Sequence, residues 1–273
     1  MARVHRDPQL PAAVELTDVH LVMARISRRA GRTARQRIRR LAGDVSRRKE
    51  EVFTGLAVQV PAGSAVAVIP AESGVSSVEF MRLCAGTLLP DRGHVVVRDP
   101  VVAMLPKSGL LNETLTVRQN IYMAGIQLGM SPQDIASRLD WIVQFAGLER
   151  SLDAFTRKCP PRLRQRIAWT VTMATGARAF AIQRALVVAD EAFREKCWDH
   201  LAGLRQDGVT FLVDDADSAL IRFCDRALLL RHDRLQWLDS VQDATRARIR
   251  TEQDASSEEE PEERWESDDG FAG

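Results

Sequence analysis

A chain of 273 residues holds one large α/β domain with decorated ends or two smaller ones, at about 150 residues per domain. Its 45% apolar and 27% charged residues exclude a wholly disordered chain. No run approaches the ~18 apolar residues of a membrane-spanning helix, and residues 1–30 lack the apolar core of a secretory signal. The net charge of +1 conceals two opposed blocks. Residues 25–49 carry eleven Lys or Arg against the single acid Asp44, and residues 252–269 carry ten Asp or Glu against Arg264. Cys84, Cys159, Cys197 and Cys224 are widely spaced, which suits reduced buried thiols and argues against a disulfide frame or zinc site. Neither they nor the five histidines have the spacing of a metal site.

Residues 1–11 read as a flexible N-terminus, 12–245 as the folded domain and 246–273 as a disordered acidic tail, too poor in apolar surface to offset its ordering entropy. Val14–Val19 alternates like a strand. The block 25–49 reads as a basic insertion, with anionic lipid headgroups as one candidate contact; nucleic acid is disfavoured because no aromatic residue is interleaved for base stacking. Val58–Val60 followed by Pro61-Ala62-Gly63 reads as a hairpin-like turn. Ala65–Ile69 is a continuous apolar run, the pattern of a strand buried on both faces, followed by a turn and a helix over Val78–Ala85. His94–Val97 is a strand. Val117–Leu148 is helical in period, with Ser131-Pro132 as a cap followed by proline at the first helical position. Arg162–Ala174 is helical, Ala179–Ile182 a buried strand and Glu191–Arg205 a helix stopped near Gly208. Val209–Val213 and Ala227–Leu230 are strands. Strands alternating with helices predict a mainly parallel sheet covered on both faces.

A buried strand, a tight turn and a helix also form the phosphate-binding loop of nucleotide hydrolases. There, backbone N–H groups cradle phosphates, a lysine reaches the β/γ-phosphates and a Ser or Thr hydroxyl holds Mg²⁺. The turn here is Pro70-Ala-Glu-Ser-Gly-Val-Ser-Ser-Val78. The lysine position falls on Ser76 or Ser77, no lysine is present, and Glu72 and Glu79 bring negative charge. No G-x-x-x-x-G-K-[ST] occurs in the chain.

The frame around that turn is more telling. Leu83–Gly93, Leu115-Thr-Val-Arg-Gln-Asn-Ile-Tyr122, Asp190-Glu-Ala-Phe-Arg-Glu-Lys-Cys197 and Cys224–Leu230 resemble the ATP-binding cassette family. More narrowly, they resemble the ATPase subunits of polysaccharide and teichoic acid exporters. The resemblance spans residues 12–245. It implies a P-loop NTPase-like α/β domain: a mainly parallel sheet flanked by helices, an antiparallel β part near the N-terminus, and a helical subdomain over about 115–175.

Carried over by position, the family's motifs are altered at almost every point. The residue that stacks on adenine falls near Val22 or Met23, neither aromatic. The phosphate loop maps onto Ser73, Gly74, Val75, Ser76, Ser77 and Val78, with Val75 or Ser76 where glycine is usual. The signature that contacts ATP across a dimer maps onto Pro161, Arg162 and Leu163, where Pro160 and Pro161 lack backbone donors. The paired acids that support Mg²⁺ and activate water map onto Gln183 and Arg184, and an arginine stays protonated and cannot act as a general base. The switch histidine maps onto Asp215. Only Asp190, at the D-loop position, is as expected. Arg162 and Arg184 either pair with surface acids or rebuild an anion or dimer contact.

The resemblance implies ATP and Mg²⁺ as cofactors, and the replacements argue against both. Each charged contact to phosphate is worth about 1.5–3 kcal/mol. Losing the lysine and the metal carboxylate costs about 3–6 kcal/mol, which at about 1.4 kcal/mol per tenfold turns micromolar binding into millimolar or worse. No residue of the chain is assigned a catalytic role. The resemblance further implies an ABC-2-type membrane permease as partner, a homo- or hetero-dimer with another cassette ATPase, and a place on the cytoplasmic face of the cell membrane. The Q-loop stretch, with Lys107, Asn112 and Glu113, is the candidate partner surface. The alternative is a regulatory or scaffold pseudo-ATPase of the cell envelope without a transport role.

Overall fold

A computed structural model describes residues 12–26, 47–72, 75–105, 109–184, 190–214 and 217–258. Strand β1 (Ala12–Ile26) pairs antiparallel with β2 (Arg47–Pro61), and β1 also pairs antiparallel with β4 (Arg92–Val97), giving a three-stranded sheet ordered β2-β1-β4. The second sheet is built from β3 (Ala65–Pro70), β5 (Val101–Met104), β6 (Ala179–Gln183), β7 (Thr210–Asp214), β8 (Arg226–Leu230) and β9 (Leu235–Leu238). Its order is β5-β6-β7-β3-β8-β9, parallel throughout except for the last pair. The helices are α1 (Ser77–Cys84), α2 (Val117–Gln127), α3 (Pro132–Ala146), α4 (Pro161–Met173), α5 (Glu191–Gln206), α6 (Asp217–Phe223) and α7 (Val241–Glu258).

The apolar run in β3 lies at the centre of the six-stranded sheet for the expected reason. Val66, Val68 and Ile69 are buried, and Val66 and Val68 pack on one face while Ala65, Ala67 and Ile69 pack on the other. Burying each large aliphatic side chain contributes about 1.5–3 kcal/mol, so a strand loaded on both faces gains most between two layers. One face is covered by α1, through Phe80, Met81 and Leu83, together with the antiparallel sheet. The other is covered by α5, α6 and α7. Helix α4 joins two cores: Trp169 and Met173 enter the sheet core, while Ile167 and Val171 pack with α2 and α3.

Local signals set several boundaries. Thr116 and Gln119 form a capping box at the start of α2, with the Gln119 backbone N–H donating to Thr116 Oγ1 (3.2 Å) and the Thr116 N–H donating to Gln119 Oε1 (2.9 Å). Ser131 caps α3 ahead of Pro132, as the sequence predicts, and Gly147 ends that helix at φ 68°. Asp190 caps α5 by accepting from the Phe193 N–H at 3.1 Å.

Four sequence expectations are corrected. The turn Pro61-Ala62-Gly63 does not join a hairpin, because β2 pairs with β1 while β3 enters the other sheet; Gly63 N–H is instead held by Thr210 Oγ1 at 2.8 Å. The strands flanking the basic block are longer than expected: Ala24 pairs with Lys49 and Ile26 with Arg47, so only residues 27–46 of the block lie outside the described residues, and the lipid-contact expectation lies mostly there. Strands β5 and β9 have no counterpart among the expected elements, since each is only four residues long. Order does not stop at residue 245. Helix α7 runs to Glu258 because Ser240 caps it through the Asp243 N–H (3.1 Å), Val241 and Ala244 are buried, and Thr251 is bonded to Arg231. Residues 1–11 and 259–273 lie outside the described residues.

The four cysteines are free and buried, as the spacing suggests. Burial pushes the thiols of Cys84 and Cys197 far up and that of Cys224 up to about 12, which removes thiolate chemistry at neutral pH.

Candidate functional site: a cleft at the phosphate-loop position

A cleft of about 500 Å³ opens where β3, β6 and β7 end, lined among others by Glu72, Ser76, Ser77, Gln183, Arg184 and Asp214. Parallel strands that end together present their last residues at one edge, so sequence-distant groups converge. Ser77 opens α1 and is buried, Gln183 ends β6, and Asp214 ends β7. The Ser77 hydroxyl donates to Asp214 Oδ2. Gln183 Nε2 donates to Ser77 Oγ (2.7 Å) and to Asp214 Oδ2 (3.1 Å). The other amide atom, Gln183 Oε1, is buried without a hydrogen-bond partner.

The wall is charged in both senses. Glu72 pairs with Arg231 at 2.8 Å, and Arg231 also donates to Thr251 Oγ1 of α7 at 3.0 Å. Arg248 and Glu252 of α7 line the same cleft. Arg184 is exposed and one of two non-glycine residues with positive φ among the described residues (45°); its backbone N–H donates to the Asp214 carbonyl at 2.7 Å. A left-handed backbone of this kind is strained for a residue that carries a Cβ. Val75 N–H bonds the Glu72 carbonyl (3.3 Å), and Ser76 precedes α1 in extended backbone without a side-chain cap bond. Val78 lies in the first turn of α1. Ser73 and Gly74 of the loop and Asp215 of the switch position lie outside the described residues.

No protein-family model matches the chain. The ABC transporter protein AbcA of Aeromonas salmonicida is 33% identical over 163 residues, covering 59% of this chain and 53% of its own, so the chain spans about half that relative's length. The O-antigen export system ATP-binding protein RfbB of Klebsiella pneumoniae is 28% identical over 196 residues, 71% of this chain and 79% of its own. Among solved structures, the ATP-binding cassette MJ0796 in a dimeric state with ADP and phosphate superposes with a TM-score of 0.65 at 17% identity, over 84% of this chain and 98% of that one. The fold is that of an ATP-binding cassette. The chain is similar in sequence to ATP-binding subunits of O-antigen, teichoic acid and polysialic acid export systems.

The remaining cassette motifs stand apart from the cleft's lining. Pro161, Arg162 and Leu163, at the signature position, form the first turn of α4, with Pro161 and Arg162 exposed and Leu163 packed against the helical core. Two arginines further along α4 make the ties. Arg164 pairs with Glu113, and Arg166 pairs with Asp190 at 2.5 Å. The hydrogen bond from Arg166, followed by that from the Phe193 N–H, holds the Asp190 carboxyl below its ordinary value. Asp190, expected at the D-loop position, is therefore fixed to α4, whose first turn holds the residues expected at the signature position.

In the Q-loop stretch, Lys107 lies outside the described residues. Asn112 and Glu113 are exposed and locally engaged. Asn112 Oδ1 accepts from the Thr114 N–H (2.9 Å) and hydroxyl (2.8 Å). Its backbone is gripped by buried Asn120, whose Oδ1 accepts from Asn112 N–H (2.7 Å) and whose Nδ2 donates to the Asn112 carbonyl (2.8 Å) and to Thr156 Oγ1 (2.7 Å). At the adenine position, Val22 and Met23 are half-buried on β1.

Sequence reasoning missed Asp214, Arg231, Arg248 and Glu252. Asp214 had a signal, an acid closing an apolar strand. The other three had none, because only the return of β8 and α7 brings them to the cleft. Glu79, expected near phosphate, does not line it.

Proposed function

We propose that this chain is the cytoplasmic ATP-binding-cassette subunit of an exporter of surface polysaccharide or teichoic acid, degenerate in ATP binding and hydrolysis and acting through its partners. The similarity to export ATP-binding subunits supports the transport assignment. The observation that carries the degeneracy is the end of β6, where Gln183 and Arg184 occupy the positions of the two acids. A protonated guanidinium cannot take a proton from water. Nor does the turn from Pro70 to Val78 contain a lysine. Among the described residues, a triphosphate in the cleft would face Asp214 and Glu252; Arg184 and Arg248 are the cations of the lining, Arg248 lies 4.0 Å from Glu252, and Arg231 is already committed to Glu72. These groups do not fit ATP, so no hydrolytic step is assigned.

On this reading the chain sits at the inner face of the membrane, docks an ABC-2-type permease through the stretch containing Lys107, Asn112 and Glu113, and dimerises with itself or with an active cassette. Among the described residues no helix is long and apolar enough to cross a membrane, so attachment would come from the permease.

Titration of the purified chain with a fluorescent ATP analogue tests the degeneracy. Millimolar or weaker binding and no Mg²⁺-dependent phosphate release above background are expected, and tight Mg²⁺-dependent binding would refute it. Affinity purification from solubilised membranes tests the transport role. Recovery with a multi-span permease is expected, whereas a soluble monomer with no membrane partner would favour the scaffold alternative.

A further inference from the structure

We propose that the second half of α7, residues 248–258, is a releasable strap that governs access to the cleft: the chain supplies one wall of its own cleft and can let it go. The inner face of α7 changes character half-way along. At about 3.6 residues per turn, positions 241, 244, 248, 251 and 252 share one face. Val241 and Ala244 are buried there, and Ala247 beside them packs against the sheet core. The same face then turns polar, as Arg248, Thr251 and Glu252. Ile249, the only large apolar residue between 248 and 258, is 44% exposed. Apolar burial therefore anchors the first half of α7, and polar contacts hold the second.

Those polar contacts reach the cleft. Arg248 and Glu252 line it, together with Glu72 and Ser76 of the turn after β3. The Thr251 hydroxyl donates to the Ala247 carbonyl (3.0 Å) and accepts from Arg231 Nη2 (3.0 Å). Arg231 holds Glu72 through Nη1 at 2.8 Å, so one guanidinium fastens both the strap and the turn. Such a fastening is reversible. Hydrogen bonds and part-exposed ion pairs exchange with water at small net cost, whereas apolar burial does not. Arg231 Nε is buried without a hydrogen-bond partner, a penalty of the closed arrangement that is relieved when the side chain turns out to water. The second half of α7 can thus leave the cleft while Val241 and Ala244 keep the first half in place. Release opens the cleft whatever ligand it takes, so the strap does not rest on the reading of the chain as a degenerate ATPase subunit.

The test uses the full chain with Ser76→Cys as a reporter in the cleft, labelled with a maleimide and read by mass spectrometry. Ser76 is half-buried and lines the cleft, and the four native cysteines are buried, so wild type sets the background. Thr251→Pro, added to the reporter, removes the hydroxyl and breaks the helix within the strap. Labelling at position 76 should quicken by at least about tenfold, within the roughly hundredfold shift that a proline inside a helix can impose. Thr251→Asp, which gives Arg231 a charged partner, should slow labelling. An unchanged rate in Thr251→Pro overturns the proposal. So does a rise matched by the native cysteines, which marks loosening of the whole fold. If Thr251→Pro does not fold, Thr251→Asp decides: slower labelling upholds the strap, and equal or faster labelling removes it.

Discussion

The bridge from Arg231 to Glu72 and Thr251 ties the turn after β3 to α7, and its strength can be worked from its geometry. Arg231 is 18% exposed and Glu72 34% exposed at the side chain, with 2.8 Å between Nη1 and Oε1. A hydrogen bond to a charged group contributes about 1.5–3 kcal/mol when shielded, while an exposed ion pair contributes about 0.2–1 kcal/mol. This half-shielded pair lies between, at about 1–2 kcal/mol of coupling. The bond to Thr251 Oγ1 (3.0 Å) adds about 0.5–1.5 kcal/mol. Arg231→Ala also leaves the Glu72 carboxylate unpaired, so its total cost is about 2–4 kcal/mol. At roughly 2–4 °C per kcal/mol for a chain of this size, the melting temperature falls by about 4–16 °C. Thermal unfolding of wild type, Arg231→Ala, Glu72→Gln and the double variant closes a cycle that isolates the pair. In Arg231→Ala, amide exchange over residues 75–84 should accelerate, because the turn ahead of α1 loses its tie. A coupling below about 0.5 kcal/mol, the level at which independent sites add, would refute the claim that Glu72 is held by Arg231.

Two further outcomes follow from buried polar groups. Asn120→Leu strips partners from the Asn112 backbone and from Thr156 in a fully buried setting; a loss of about 2–4 kcal/mol is expected in urea unfolding, and less than about 1 kcal/mol would show that the turn holds itself. His200 packs against Trp141, Phe145 and Trp169 at centroid distances of 5.3, 5.5 and 6.0 Å, and burial lowers its pKa below the ordinary 6.5. As pH falls through about 6.5 the unfolded chain takes up the proton first, so the stability gained from the neutral ring is lost toward the folded pKa. The urea midpoint should therefore drop between pH 7.5 and 5.5, and His200→Phe should flatten that drop; parallel profiles would assign it to other groups.

The position of β3 and the starts of α1, α3 and α5 were legible because each rests on a local rule. Uninterrupted Ala65–Ile69 demands two covered faces, Ser131-Pro132 and Asp190 cap helices, and a turn between a buried strand and a helix marks the edge where ligands gather. The proposal of a degenerate site likewise rests on residue types, since the lack of a lysine between Pro70 and Val78 and the presence of Arg184 can be read without coordinates.

The floor and closure of the cleft were decided by tertiary structure. Whether Gln183 meets Ser77 and Asp214 depends on β6 and β7 being neighbours that end at the same level. Whether Arg231, Arg248 and Glu252 reach the turn depends on β8 running beside β3 and on α7 packing back across the sheet. Strand order and helix docking are set by the summed burial of many side chains far apart in sequence, a balance that no local pattern contains.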